Sequence, residues 1–310
     1  MRLLSSPIEA IGQTPLIPLR RIVPEGAARV LIKLEGLNPT GSMKDRGALA
    51  MIRKAAADGR LPAGGTVVEY TGGSMGTSLS FVATTLGFRA HMVTSDAFSQ
   101  EKRDSMAAFG AQLTLVPSDN QRITAALIQE MIETARRLSR QPNHFWTDQL
   151  NNADAHEGYH AMGEEIWEQT EGQVDAFVHA IGTAHSIHGT TQALWRHNRQ
   201  IRIVGIEPAE SPIISQGRSG AHYIEGMGLG FIVPLFEPDL VNEIVTVSTE
   251  EARAMARRLA REEGIFGGVS TGCNVVAAIR LAERLGPGKT VVTLQCDTGL
   301  KYLSTPVFRG

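Results

Sequence analysis

Short apolar runs alternate along this chain with stretches in which apolar residues recur every three or four positions. The runs are VLIKLE (30–35), TVVEY (66–70), AHMVT (90–94), AQLTLV (111–116), VDAFVHAIG (174–182), RIVGIEP (202–208), EIVTVS (243–248) and TVVTLQ (290–295). Their lengths and their valine and isoleucine content predict strands buried on both faces, as in parallel sheets. The periodic stretches predict helices over 48–60, 76–87, near 99–109, near 121–140, and over 183–197, 249–264 and 273–286. Strands joined by helix-length crossovers give an α/β architecture of right-handed βαβ units. The stretch 211–240 has no such pattern, and long ordered connections of this kind tend to be functional.

Composition narrows what this architecture can serve. The chain has 310 residues and a net charge of −2, so no basic field draws it to nucleic acid or to a membrane surface. No apolar run is long enough for a transmembrane helix, and the N-terminal stretch lacks the apolar core of a signal peptide. The two cysteines, Cys273 and Cys296, make no disulfide framework and suit a reducing cytoplasm. No CxxC or HExxH spacing occurs, and no metal is expected.

In open α/β sheets ligands gather beyond the carboxyl ends of the strands, so the strand-to-helix turns hold the candidate chemistry. IGTAHSIHGT (181–190) opens a helix. Its backbone amides, with the hydroxyls of Thr183 and Ser186, can cradle a phosphate, although Thr and Ser also serve as plain helix caps. EYTGGSMGTSL (69–79) has the same form. Gly72, Gly73 and Gly76 allow close backbone approach, and amides at this helix start suit a carboxylate; a glycine-eased turn reads as well. NPTGSMKDRGA (38–48) places Lys44 at a helix mouth, where the dipole disfavours the protonated amine. Arg46 acts in the same sense and Asp45 opposes it. A deprotonated lysine forms a Schiff base with an aldehyde, whereas a capped surface lysine forms none. A Schiff-base lysine, a phosphate cradle and a carboxylate nest together describe a pyridoxal-phosphate site.

The chain resembles the fold-type II pyridoxal-phosphate enzymes, specifically the cysteine synthase and cystathionine β-synthase group, over nearly its whole length. IGQTPLIPL, KLEGLNPTGSMKDRGA, IVGIEPAESPI, MGLGF, GIFGGVSTGCNVVAA and KYLST carry the likeness, in this order. The resemblance implies a tryptophan synthase β-like fold with two doubly wound sheet domains. The larger would comprise residues 1–36 and 145–310, and the smaller, 37–144, would close over the substrate. It implies pyridoxal 5'-phosphate as cofactor, held by Lys44, which then serves as the base for the substrate Cα proton. Thr71, Gly72, Gly73, Ser74 and Met75 would form the loop for the substrate carboxylate, which Gln149 also approaches. Gly182, Thr183, Ala184, His185 and Ser186 would hold the phosphate, and Thr298 would meet the pyridine nitrogen. Gly226 and Gly228 would line the cleft near the substrate amine. The implied reaction is β-replacement on an amino-acid substrate, O-acetylserine plus sulfide giving cysteine and acetate. The implied assembly is a homodimer, with serine acetyltransferase as a partner of the family.

The departures leave rivals open. The usual TSGNTG loop is TGGSMG here, so Gly72, Ser74 and Met75 replace serine, asparagine and threonine, and Ser74 would reach the cofactor's ring oxygen through water. The usual GTGGT is GTAHS, so Ala184 and His185 require a backbone free of positive φ or a strained one; His185 is expected to face solvent. Cystathionine or diaminopropionate-type synthesis and serine or threonine deamination are the alternatives on this scaffold, and a catalytically weakened binding homologue is the alternative outside it. Cys273 and Cys296 are expected to be structural. His156 and His160 are expected on a solvated helix face, and 249–264 as an amphipathic helix laced with ion pairs.

Overall fold

The computed structural model describes residues 3–120 and 124–309. Backbone contacts divide the chain into two compact units, Met1–Ile11 with Asn38–Gly158, and Gly12–Leu37 with Tyr159–Gly310. The expected limit at 144/145 falls within the first unit. His144–Trp146 is a strand paired in parallel with Thr66–Tyr70, so the chain stays in that sheet beyond the limit. The N-terminal residues also divide otherwise than expected: Ile8 is buried in the first unit's apolar core, while the strand Leu16–Pro18 joins the second unit's sheet.

The first unit holds a four-stranded parallel sheet in the order Gln112–Val116, Arg89–Ser95, Thr66–Tyr70, His144–Trp146. Its helices include Lys44–Ala57, Ser74–Thr85, Gln100–Ala108 and Ala125–Ser139. The last covers the helix expected near 121–140, of which residues 121–123 lie outside the described residues. Every residue of Thr66–Tyr70 is buried, because helices cover both faces of a parallel sheet. Ile52, Val67, Leu79, Met92 and Met106 form the centre of this core.

The second unit holds a six-stranded sheet in the order Leu16–Pro18, Arg29–Leu34, Thr290–Gln295, Ala176–Ala180, Arg202–Pro208, Glu243–Val247. The first strand is antiparallel to its neighbour and the others are parallel. The helix Val269–Leu285 begins four residues before the expected start at 273, with Gly268 as its N-cap. It can lie close to Thr249–Arg258 because Gly272 has no side chain; a Cβ there would stand 2.0 Å from the Ala252 carbonyl oxygen. Thr249–Arg258 starts with a capping box between Ser248 and Glu251 and runs into a π-helical turn, Leu259–Glu263. The ion pairs expected along it include Arg258–Glu262 at 2.7 Å.

The apolar reading of VLIKLE passes over a charge at its centre. Lys33 is fully buried, and its Nζ lies 2.6 Å from Glu165 Oε2 and donates to the Thr14 carbonyl at 2.7 Å and to Gln169 Oε1 at 3.0 Å. A lysine enters a strand core only when such partners replace its lost hydration.

Candidate active site

In the first unit, Lys44 is the first residue of its helix, and its backbone N–H donates to Ser42 Oγ at 3.2 Å. The Lys-Asp-Arg triplet is not a solvated cap. Asp45 and Arg46 are buried and Lys44 is half-buried. Asp45 accepts the backbone N–H of Thr40 at 2.9 Å and its hydroxyl at 2.5 Å. That carboxylate complements the positive end of the helix and ties the preceding turn to it, which sets where the Lys44 side chain leaves the backbone.

The strand Thr66–Tyr70 runs into Thr71, Gly72 and Gly73, and Ser74 opens the next helix. Thr71 Oγ1 accepts the backbone N–H groups of Gly73 at 2.9 Å and Gly76 at 3.0 Å. Both lone pairs of the hydroxyl are thereby used, and its own proton is left to donate. Gly73 lies at φ 143°, ψ −76°, a region only glycine occupies with ease. A Cβ at Gly72 would stand 2.7 Å from the Phe98 ring, and one at Gly73 2.1 Å from Lys102 Cδ. Of the residues expected around this loop, Thr71, Gly73 and Met75 are buried, and Gly72 and Ser74 are half-buried. Met75 differs from expectation in one respect: its side chain belongs to the apolar core, because the second position of this helix faces the sheet, so only its backbone is left for the loop.

Gln149 follows the neighbouring strand His144–Trp146, and its Nε2 donates to the Tyr70 carbonyl at 2.9 Å. Glu69 joins the two strand ends. Its fully buried carboxylate accepts from Tyr70 N at 2.9 Å, Trp146 Nε1 at 3.3 Å, Thr147 Oγ1 at 2.6 Å and Gln149 N at 2.9 Å. Burial pushes this carboxyl up to about 7, against the pull of those hydrogen bonds. When Glu69 takes a proton, Thr147 Oγ1 can accept it, because that hydroxyl also reaches the Val68 carbonyl at 3.3 Å. A folded value above the unfolded one means that the native state binds the extra proton. The stability this contributes is full below the ordinary value of 4.5 and is lost as pH rises through about 7. On the order of 3 kcal/mol of stability should disappear over that range. Urea unfolding across the range, followed by the fluorescence of the three tryptophans, measures it. A Glu69→Leu variant with the same pH slope as the parent would refute the assignment.

In the second unit, two turns follow neighbouring parallel strands. Residues 181–186 follow Ala176–Ala180, and Cys296–Thr298 follow Thr290–Gln295. The helix His185–His197 has no side-chain cap, and Ala184, its N-cap, lies at φ 68°. Of the two backbones open to this alanine, the strained one is present. An αL residue before a helix start turns successive amides into one concavity, the geometry that takes anions. A Cβ at Gly182 would stand 2.4 Å from the Gly226 carbonyl oxygen, so only glycine lets these two segments meet.

His185 corrects the expectation of a solvent-facing ring. It is 1% exposed, and its Nδ1 lies 3.0 Å from Thr183 Oγ1; as the first helical residue it turns inward beside that hydroxyl. Ser186 is also buried, and its Oγ lies 2.8 Å from His179 Nε2. Thr298 is half-buried, and its hydroxyl accepts the Leu300 N–H at 3.3 Å. Gly226 and Gly228 lie at φ 89° and 62°, and the Gly228 N–H donates to the Ile181 carbonyl at 3.2 Å. That bond brings the irregular 211–240 stretch to the strand end that carries the 181–186 turn.

The remaining candidates take no part in this. Cys273 and Cys296 are buried free thiols, and burial pushes Cys273 above its ordinary value. His156 is buried rather than solvated, and His160 Nε2 lies 2.8 Å from Gln192 Oε1. The expected solvated face fails because this stretch of Ala155–Gln169 is packed: a Cβ at Gly158 would stand 2.2 Å from the Arg46 carbonyl oxygen. Among the described residues no group of three metal-binding side chains occurs, and no helix is long and apolar enough to cross a membrane. Glu69, Lys102, His179 and Asn274 escaped the sequence reading. Its only signal for Glu69 and His179 is a polar residue inside an otherwise apolar strand run.

Comparison with known proteins finds a family and relatives over nearly the whole chain. The family model described as pyridoxal-phosphate dependent enzyme matches residues 8–297. A cysteine synthase of Staphylococcus aureus is 39% identical over 303 residues, 97% of this chain and 96% of the relative. Among solved structures, a cysteine synthase of Entamoeba histolytica superposes with a TM-score of 0.92 at 32% identity, over 100% of this chain and 92% of that one. An O-ureido-L-serine synthase superposes with a TM-score of 0.91 at 33% identity, over 100% of this chain and 96% of that one.

Proposed function

Because the chain belongs to the family of pyridoxal-phosphate-dependent enzymes, we propose that it is a cysteine synthase, replacing the acetate of O-acetyl-L-serine with sulfide. The observation that carries this reading is Lys44 opening its helix in one unit and, in the other, a left-handed Ala184 at a helix start that has no side-chain cap. The segment Gly182–Ser186 holds backbone N–H groups, two hydroxyls and no carboxylate, and its left-handed Ala184 precedes a helix start, the conformation that gathers successive amides. This donor set fits a phosphate dianion. When bound, pyridoxal phosphate supplies an aldehyde carbon for amines and a ring that draws electrons from the substrate Cα–H bond.

The chain's own groups do the rest. Lys44 Nζ would hold the cofactor covalently and would serve as the base for the substrate Cα proton. The Thr71 hydroxyl, the amides of Gly72, Ser74 and Met75 and the Gln149 side chain would bind the substrate carboxylate, while Gly226 and Gly228 would border the amine. The half-buried Ser74 hydroxyl would reach the cofactor's ring oxygen through water. The neutral hydroxyl of Thr298 would meet the ring nitrogen without enforcing its protonation, which would favour β-elimination over transamination. The protein is cytoplasmic and homodimeric, with serine acetyltransferase as a candidate partner; two free buried thiols suit a reducing compartment.

A second reading keeps the activated serine and changes the nucleophile. It is favoured by Met75, which sends its side chain into the core and so removes a polar group from the loop. Cysteine, cystathionine and diaminopropionate formation, measured side by side with matched acceptors, decide between them. The highest kcat/KM should fall on O-acetylserine with sulfide; a thiol-amino-acid or amine acceptor used more efficiently would overturn the first reading in favour of the second.

A further inference from the structure

Behind the proposed phosphate cradle lies a buried chain of side chains that none of the roles above uses. His179, on the strand Ala176–Ala180, is fully buried. Its Nε2 lies 2.8 Å from Ser186 Oγ, and its Nδ1 lies 3.2 Å from Asn274 Nδ2. Asn274 is fully buried on the helix Val269–Leu285, and its amide can be oriented in one way only. Its Oδ1 accepts the Ala180 N–H at 2.8 Å, while its Nδ2 donates to the Leu294 carbonyl at 2.9 Å and contacts Cys296 Sγ at 3.2 Å. A flipped amide would set an N–H₂ against an N–H and a carbonyl against a carbonyl.

The orientation of Asn274 decides the state of His179. One N–H of the amide goes to Leu294 and the other is shared between Cys296 Sγ and His179 Nδ1; a proton on Nδ1 would face this donor-only group, so the neutral ring carries its proton on Nε2. That proton points at Ser186 Oγ, which therefore accepts. A hydroxyl that accepts from behind keeps its own proton for an acceptor in front. We propose that His179, locked by Asn274, is a positioning residue that makes the Ser186 hydroxyl a committed donor to the phosphate of the bound cofactor. The inference rests on the reading of residues 182–186 as the phosphate cradle. Without the relay, the hydroxyl is free to turn its proton inward to a neighbouring acceptor, and one donor to the dianion is lost.

The test compares affinity for pyridoxal phosphate with affinity for pyridoxal, which lacks the phosphate. Both are measured by the absorbance of the apo-protein titrated with each compound. Ser186→Ala and His179→Phe should each weaken pyridoxal phosphate roughly tenfold, the loss expected for one hydrogen bond to a charged group, and leave pyridoxal unchanged. The double variant should be no worse than either single one, since both remove the same donor. His179→Gln should recover most of the loss, because its amide can accept from Asn274 and donate to Ser186 at once. The ³¹P resonance of the bound cofactor should move in His179→Phe and return in His179→Gln.

A Ser186→Ala variant that binds pyridoxal phosphate like the parent overturns the cradle reading and the relay together. If Ser186→Ala weakens the phosphate form while His179→Phe does not, or while His179→Phe weakens both forms equally, the relay alone is overturned. Should His179→Phe fail to fold, His179→Gln and the Ser186→Ala cycle still decide: a Gln variant as weak as Ser186→Ala overturns the relay, and one close to the parent supports it.

Discussion

Replacing Lys44 with alanine should abolish turnover and the yellow absorbance of a covalently held cofactor. Asp45 keeps its bonds to Thr40, and alanine opens a helix well, so the helix Lys44–Ala57 should form unchanged. What disappears is the amine, and with it both the covalent anchor and the proton acceptor assigned to Cα. General-base removal alone is worth roughly 10²–10⁴ in rate, and loss of the covalent partner adds to it. Absorbance spectra with added pyridoxal phosphate and single-turnover assays with O-acetylserine measure the two losses. A Lys44→Ala protein that turns over normally would leave Lys44 an ordinary helix-start lysine.

Gly73→Ala should lower kcat/KM for the amino-acid substrate by roughly 100- to 1,000-fold while leaving cofactor binding nearly intact. Two costs coincide at this position. At φ 143°, ψ −76° an alanine is strained, which costs about 1–3 kcal/mol. Its Cβ would also stand 2.1 Å from Lys102 Cδ and 2.9 Å from Lys102 Cβ. Because the near side of that lysine, and not only its flexible end, is in the way, the loop itself must move. The Thr71 bonds to Gly73 and Gly76 then lengthen. Displacing a binding loop by about 1 Å can cost 10²-fold. Steady-state kinetics with a parallel cofactor titration separates the effects. Wild-type kcat/KM in a folded Gly73→Ala protein would remove this loop from the substrate site.

Short-range pattern carried most of the architecture. The strand Thr66–Tyr70 and its glycine turn, the strand Ala176–Ala180 with its helix start, and the helix beginning at Lys44 lie where apolar runs and turn residues put them, because buried parallel strands and helix starts are specified within a few residues. The chemistry of the turns was legible for the same reason: glycine, hydroxyl and lysine positions are local. Pairings were less so. The short strand His144–Trp146 holds the chain in the first sheet past the expected limit, and its three residues carry too little pattern to stand out.

The states of the polar side chains were decided only by the tertiary structure. His185 and His156 look like surface residues in the sequence, yet packing buries both. Met75 sits in a polar loop by sequence and in the core by helix phase. Glu69 and Lys33 lie in strands whose composition reads as apolar, and each is tolerable only because groups far along the chain supply its hydrogen bonds, Thr147 and Gln149 for one and Glu165 and Gln169 for the other. Lone-pair and proton directions at Ser186 likewise follow from His179 and, beyond it, Asn274, which is 95 residues further along than the histidine it orients. Local pattern sets where the backbone turns, since turning is a matter of neighbouring dihedrals. The charge and donor direction of a buried group depend on what folding brings against it, and that is a long-range property of the chain.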